Sequence, residues 1–216
     1  THGGIRLMAV TTIPTAGIAD DAVGNTKLDL SENYAFTGTV TGVQDFVKIS
    51  TNTISSAVGN TSFSGISDTY DIYMVQMRNV QFSADAKMKC RVGTSSSYIT
   101  GNYRLSGTSG RADSSAIDKD NKFTDSTFDI SGGWTVGGNT NENYNARVYF
   151  YNLRATTGAK HIYCNATFVN DGDYVVFGNW SGRLPSTDQY THIQFGDLTG
   201  SANMDSGVFT LYGLKQ

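Results

Sequence analysis

Apolar and polar positions alternate along most of the chain from residue 45 onward. Met88, Cys90 and Val92 alternate with Lys87, Lys89 and Arg91, and Ile162, Cys164, Ala166 and Phe168 alternate with His161, Tyr163, Asn165 and Thr167. A period of two sends successive side chains to opposite faces, so each run predicts a strand with one dry and one wet face. Residues 70–77 (Tyr-Asp-Ile-Tyr-Met-Val-Gln-Met) are apolar on both phases, and 145–153, 174–180, 190–196 and 208–214 read as further strands. Turn-forming clusters separate these runs: Ser83-Ala84-Asp85, Gly107-Thr108-Ser109-Gly110, Gly132-Gly133, Gly137-Gly138-Asn139, Asn170-Asp171-Gly172-Asp173 and Gly196-Asp197. Asn-Asp-Gly-Asp between two alternating runs is a hairpin signature. Roughly seven to nine strands with no helical stretch predict an all-β fold, an antiparallel jelly-roll-like β-sandwich over residues 45–216. Residues 105–126 lack the strand pattern and read as a long loop.

Residues 1–44 follow a different pattern. Ile13, Ile18, Val23, Leu28, Leu30, Phe36 and Val40 recur at short, uneven spacing among small and polar residues. One such strand has too little apolar surface, at about 25 cal/mol per Å2 buried, to offset about 1–2 kcal/mol of backbone entropy per residue. This extended N-terminal arm is therefore expected to order against other chains, copies of itself first, the alternative being a flexible tail.

Composition supports a folded, surface-polar protein. The 216 residues are 12% aromatic and only 16% charged, with 24 glycines and 2 prolines. Disordered chains are poor in aromatics and rich in charge. The net charge is −3 and no basic stripe is visible, so no nucleic-acid partner is expected. No apolar run approaches the roughly 20 residues of a bilayer span, and no membrane insertion is expected. Two cysteines, Cys90 and Cys164, are too few for a disulfide framework and too widely separated for a zinc knuckle. Both fall on the inward phase, where free cysteine acts as a small hydrophobe, a disulfide across the core being the alternative.

No catalytic constellation emerges. His2 lies in the arm, His161 and His192 sit on polar strand phases, and there is no Gly-x-Ser-x-Gly elbow. Asp118, Asp120, Asn121 and Asp125 have some of the spacing of a calcium loop, but Lys122 takes a ligand position and the closing Glu is missing, so a plain acidic turn is expected. Beyond residue 45 Glu142 stands alone among the glutamates, which disfavours paired-carboxylate glycoside cleavage. No enzyme activity, metal or cofactor is expected. The candidate ligand contacts are aromatics among amides and hydroxyls: Trp134 between two glycine pairs, Tyr144 in an asparagine-rich run, and Trp180 between Asn179 and Ser181. Such surroundings suit a polyhydroxylated ligand, whose apolar ring faces stack while its hydroxyls take hydrogen bonds.

Three segments resemble a known family. Residues 12–42, with Thr-Ile-Pro-Thr-Ala-Gly-Ile-Ala-Asp-Asp-Ala-Val, then Tyr-Ala-Phe-Thr-Gly-Thr-Val-Thr-Gly, resemble the shaft and shaft-to-knob linker of tail fibre proteins of tailed bacteriophages, particularly marine and cyanobacterial ones. Tyr190-Thr-His-Ile-Gln-Phe195 and Ser206-Gly-Val-Phe-Thr-Leu-Tyr-Gly-Leu214 are similar to the closing strands of their globular domain, and residues 70–92 to its early strands. The resemblance implies a non-enzymatic virion structural protein, usually a homotrimer. Its arm joins other virion proteins, and its sandwich contacts a glycan or protein receptor on the host surface. The arm is short for a long fibre, which keeps a capsid decoration or head fibre protein as an alternative. A carbohydrate-binding module of a secreted enzyme is the other.

Overall fold

The computed structural model describes residues 46–95 and 97–214, and among them there is no helix. Thirteen strands follow in order: β1 (Phe46–Ile54), β2 (Asn60–Phe63), β3 (Ile72–Phe82), β4 (Lys89–Thr94), β5 (Ser97–Tyr98), β6 (Tyr103–Arg111), β7 (Ile117–Asp125), β8 (Phe128–Asp129), β9 (Tyr144–Tyr151), β10 (Lys160–Val169), β11 (Val175–Leu184), β12 (His192–Gly196) and β13 (Met204–Leu214). The larger sheet has eight strands in the order β1-β13-β3-β9-β10-β11-β6-β7. The smaller runs β2-β12-β4-β5, with β8 also pairing β4. All pairings are antiparallel.

The connectivity is that of a jelly roll. The chain crosses between sheets at β1–β2, β2–β3, β3–β4, β5–β6, β7–β8, β8–β9, β11–β12 and β12–β13, and β1-β13-β3-β9 of one sheet stands against β2-β12-β4-β8 of the other. Four further strands, β10, β11, β6 and β7, widen the larger sheet beyond β9. The period-two pattern dictates what lies between the sheets. Along β10 every second residue is buried, from Lys160 through Ile162, Cys164 and Ala166 to Phe168. The inward phases of both sheets merge into one core. Phe195 of β12 sits at its centre, with its ring 6.1 Å from Phe150 of β9, 5.8 Å from Phe209 of β13 and 6.4 Å from Phe63 of β2. Burying each such side chain contributes about 1.5–3 kcal/mol.

The hairpin expected at residues 170–173 joins β10 to β11. Asn170 Oδ1 accepts the backbone N–H groups of Gly172 (3.2 Å) and Tyr174 (2.9 Å), and Asp173 takes a φ of 62°. Asparagine closes a turn in this way because its short amide mimics a backbone carbonyl.

Residues 105–126 are not a loop. They form the β6–β7 hairpin at the rim of the larger sheet. Gly107 and Gly110 are packing positions rather than turn positions: a methyl on Gly107 would run into the Trp180 indole, and one on Gly110 into the Phe177 ring. The turn itself lies between the two strands, where Ser114 N–H donates to the Arg111 carbonyl (3.1 Å) and Ala116 N–H to Ser114 Oγ (3.1 Å). β7 escapes a periodicity reading because it is an edge strand with no dry face, its two apolar residues Ile117 and Phe123 being exposed. Its charges discourage pairing with another sheet. The arm positions Ile13, Ile18, Val23, Leu28, Leu30 and Phe36 lie outside the described residues.

Candidate functional site

The three aromatics singled out in the sequence do not form a stacking surface. Trp180 and Tyr144 are fully buried. Trp180 shares the inward phase of β11 with Val176, and its Nε1–H donates to Asp120 Oδ2 (2.8 Å). Tyr144 opens the inward phase of β9, donates its hydroxyl to the Ile130 carbonyl, and packs its ring 5.3 Å from Phe168. Trp134 is half-buried. Its Nε1–H donates to Ser109 Oγ (2.9 Å), and the Arg111 guanidinium already occupies its ring face at 5.0 Å. Strand phase, not the polarity of sequence neighbours, decides which side chain reaches solvent. These residues hold the β6–β7 hairpin and the 130–137 segment on the sandwich.

The accessible aromatics stand on the opposite phase. Pairing registers define the outer face of the larger sheet row by row, since directly paired residues share a face. One row runs Tyr212, Met74, Tyr149, Tyr163, Ser181, Ser106, Asn121 across β13, β3, β9, β10, β11, β6 and β7. The next, about 7 Å along the strands, runs Thr210, Gln76, Arg147, Asn165, Asn179, Thr108, Lys119. The Tyr149 and Tyr163 rings lie 6.1 Å apart, tilted by 36°. Tyr163 Oη donates to Asn179 Oδ1 (3.1 Å), and Asn165 Nδ2 donates to the same oxygen (2.9 Å). A pair of tyrosine rings thus stands beside a fixed amide cluster on a broad sheet, the combination that suits a sugar ring with its apolar face and equatorial hydroxyls.

One end of the same face is apolar. Phe177 and Val175 of β11 are each 53% exposed and Ile117 of β7 is 57% exposed. Phe177 and Ile117 both pair with Gly110 of β6, whose missing side chain leaves room for the phenylalanine ring. Contiguous exposed apolar side chains on a folded domain mark a contact surface.

Other reactive groups are quiet. Cys90 and Cys164 are buried and unpaired. Burial pushes the Cys164 thiol up to about 12, against the lowering effect of its contact with the Tyr144 hydroxyl. Burial, with repulsion from Cys164 and Asp129, holds Cys90 well above the usual thiol range. Thiols held protonated are poor nucleophiles. His161 lies exposed on the outer face, and His192 Nδ1 lies 2.8 Å from the Thr191 hydroxyl. The plain acidic turn expected around residues 118–125 is instead strand β7, on which Asp120 accepts from Trp180 Nε1–H (2.8 Å), Gly133 N–H (2.9 Å) and the Ser109 hydroxyl (3.3 Å). Among the described residues no group of three or more His, Cys, Asp or Glu is placed to hold a metal ion.

No protein-family model matches the chain, and no curated protein or solved structure matches it.

Proposed function

We propose that this chain is a non-enzymatic attachment protein of a virion, of the bacteriophage tail-fibre type, in which the arm over residues 1–44 joins copies of the chain and the sandwich binds a surface carbohydrate. The observation that carries the binding reading is the Tyr149–Tyr163 pair beside the Asn165–Asn179 amides on the outer face of the larger sheet. Stacking on aromatic rings contributes apolar contact, and the amides supply both donors and acceptors for hydroxyls. The virion assignment is supported by the resemblance of residues 12–42, 70–92, 190–195 and 206–214 to tail fibre proteins. Multiple copies on one particle convert weak single-site contacts into firm attachment, because later contacts form at high effective concentration.

Two measurements test this reading. Retention of the full chain on immobilised polysaccharides (dextran, polygalacturonate and bacterial lipopolysaccharide) is expected for at least one polymer and is expected to fall on Tyr149→Ala plus Tyr163→Ala. Light-scattering mass of the full chain is expected at a multiple of 23.3 kDa, a trimer first. A stable monomer would point to a carbohydrate-binding module instead, and no retention on any polymer would remove the binding reading.

A further inference from the structure

The outer face of the larger sheet has a charge opposite to that of the chain. The protein carries a net −3. Yet the charged residues at outward register positions are Lys48, Arg78, Arg104, Lys119, Arg147 and Arg183, all cationic. None of the outward partners in these ladders is an aspartate or glutamate, the exposed Asp205 of β13 falling at the bulge between Met204 and Ser206, and none of the six cations is ion-paired among the described residues. The acids of β7 take the inward phase, as Asp118, Asp120 and Asp125 opposite Ser109, Gly107 and Tyr103. Many of the others cluster in the connections between strands.

The cations come in like-charge pairs. Arg183 and Arg104 are directly opposed on β11 and β6. Arg147 pairs with Gln76, so Arg78, two residues along β3, is its diagonal neighbour, about 7–8 Å away. Like charges at these spacings repel unless an anion lies between them.

At Arg78 and Arg147 the surface is also concave. β3 carries a bulge between Met77 and Val80 in its pairing with β9, and Asn79 adopts a φ of 50° there. Its N–H is taken by Asn145 Oδ1 (2.9 Å). A bulge bends its strand and re-aims side chains. Here it opens a depression of about 250 Å3 whose walls include Gln76, Arg78, Arg147 and Asn165. A second depression of about 240 Å3 shares Asn145 and Thr167 with the first and adds Asn79, Asn141 and Asn143 together with an apolar wall of Phe168, Val169 and Val175. The two form a trough with guanidinium groups at one end and side-chain amides along it.

We infer that this trough binds the carboxylate-bearing sugars of an acidic polysaccharide, with Arg78 and Arg147 on the carboxylate and the asparagines on the hydroxyls. This deepens the proposed carbohydrate-binding function and rests on it. A guanidinium presents a planar fork of donors that matches a carboxylate in two parallel hydrogen bonds. Six cations spread over eight strands and interleaved with amides suit a polymer whose charges are spaced by neutral hydroxyls. Duplex DNA, with a charge about every 1.7 Å, is met by denser basic surfaces.

The test measures equilibrium binding of the full chain to polygalacturonate, dextran, a sulfated dextran and duplex DNA at two salt concentrations. Polygalacturonate is expected to bind most tightly and to weaken with salt. Arg147→Gln and Arg78→Gln are each expected to weaken it about tenfold, the size of a lost charge-assisted hydrogen bond. Arg147→Lys, which keeps the charge and loses the fork, should recover only part of that. Thermal unfolding verifies that the variants fold, as expected for exposed side chains without an ion-pair partner among the described residues. Equal binding of dextran and polygalacturonate, unaffected by either arginine variant, overturns this inference and leaves the carbohydrate reading intact. Preference for the sulfated polymer or for DNA overturns the carboxylate assignment. Binding to none of the four overturns the inference. If lipopolysaccharide is not retained either, the carbohydrate reading falls with it.

Discussion

Replacing Asp120 with alanine removes one acceptor shared by three donors. Asp120 stands on the edge strand β7, and its carboxylate takes Trp180 Nε1–H at 2.8 Å, Gly133 N–H at 2.9 Å and Ser109 Oγ–H at 3.3 Å. These donors differ in what they do next. Gly133 is exposed, so water replaces the lost partner. The Ser109 hydroxyl is fully buried, so its proton loses its acceptor while its oxygen still accepts from Trp134 Nε1–H. Trp180 is fully buried, and the glycines around its indole leave no room to turn toward solvent. A hydrogen bond to a charged group contributes about 1.5–3 kcal/mol, and a stranded buried donor costs about 1–3 kcal/mol. Two buried donors left without this acceptor and one that water can satisfy predict a loss of about 2–4 kcal/mol for Asp120→Ala. Both tryptophans of the chain belong to this network, so urea unfolding followed by tryptophan fluorescence reads it directly. Asp118→Ala, two residues away on the same strand and exposed, should stay within about 0.5 kcal/mol of wild type. If Asp120→Ala unfolds at the same urea concentration as Asp118→Ala, the carboxylate does not anchor the β6–β7 hairpin and the reasoning fails.

Gly178→Ala should destabilise by about 1–3 kcal/mol in the same assay, because the added methyl meets the Trp180 indole while Gly107 and Gly132 close off its escape; an unchanged midpoint would show that the slot is loose. Asp197 supplies a pH dependence. Burial pushes its carboxyl up, but hydrogen bonds from Thr199 Oγ1 (2.6 Å) and Ser201 N–H (2.7 Å), with Lys89 at 3.8 Å, bring it below the ordinary carboxylate range. Its stabilisation is therefore complete above the unfolded value of about 3.9 and is lost as pH falls through the lower folded value. Asp197→Asn should lower stability at pH 7 and flatten the acid limb of the stability curve, and an unchanged acid limb would contradict this. Deleting residues 1–44 should leave the sandwich folded while abolishing oligomerisation, as read by circular dichroism and light scattering. Normal assembly of the truncated chain would refute the division of labour between arm and sandwich.

The jelly roll was legible wherever one face of a strand is dry and the other wet. β10 shows this best, with Ile162, Cys164, Ala166 and Phe168 inward, and the Asn170 turn announces its return as β11. β6 and β7 were not legible. Gly107 and Gly110 look like turn residues, but they make room for aromatic rings on neighbouring strand β11. β7 has no dry face to leave a pattern. The binding face was visible in part. Tyr163 already stood on the wet phase of a clear alternation, and Tyr149 and Tyr151 share the phase opposite to Val148 and Phe150. An aromatic on a wet phase is the useful signal, and Trp180 and Tyr144 fail it. The basic character of that face was hidden in the net charge, because the acids of β7 take the inward phase and most of the other acids among the described residues lie between strands. Only the register, which pairs strands distant in sequence, gathers Arg78, Arg147, Arg183 and Arg104 on one surface.

Hydroxyl-radical footprinting of the full chain, free and bound to the polysaccharide that retains it best, tests the outer face most directly. Oxidation of Tyr149, Tyr163 and Phe177 is expected to drop on binding, while Phe63 and Phe195 in the core remain unreactive in both states. Unchanged oxidation of Tyr149 and Tyr163 in the bound protein, with protection confined to the smaller sheet or to the loops, would contradict the account.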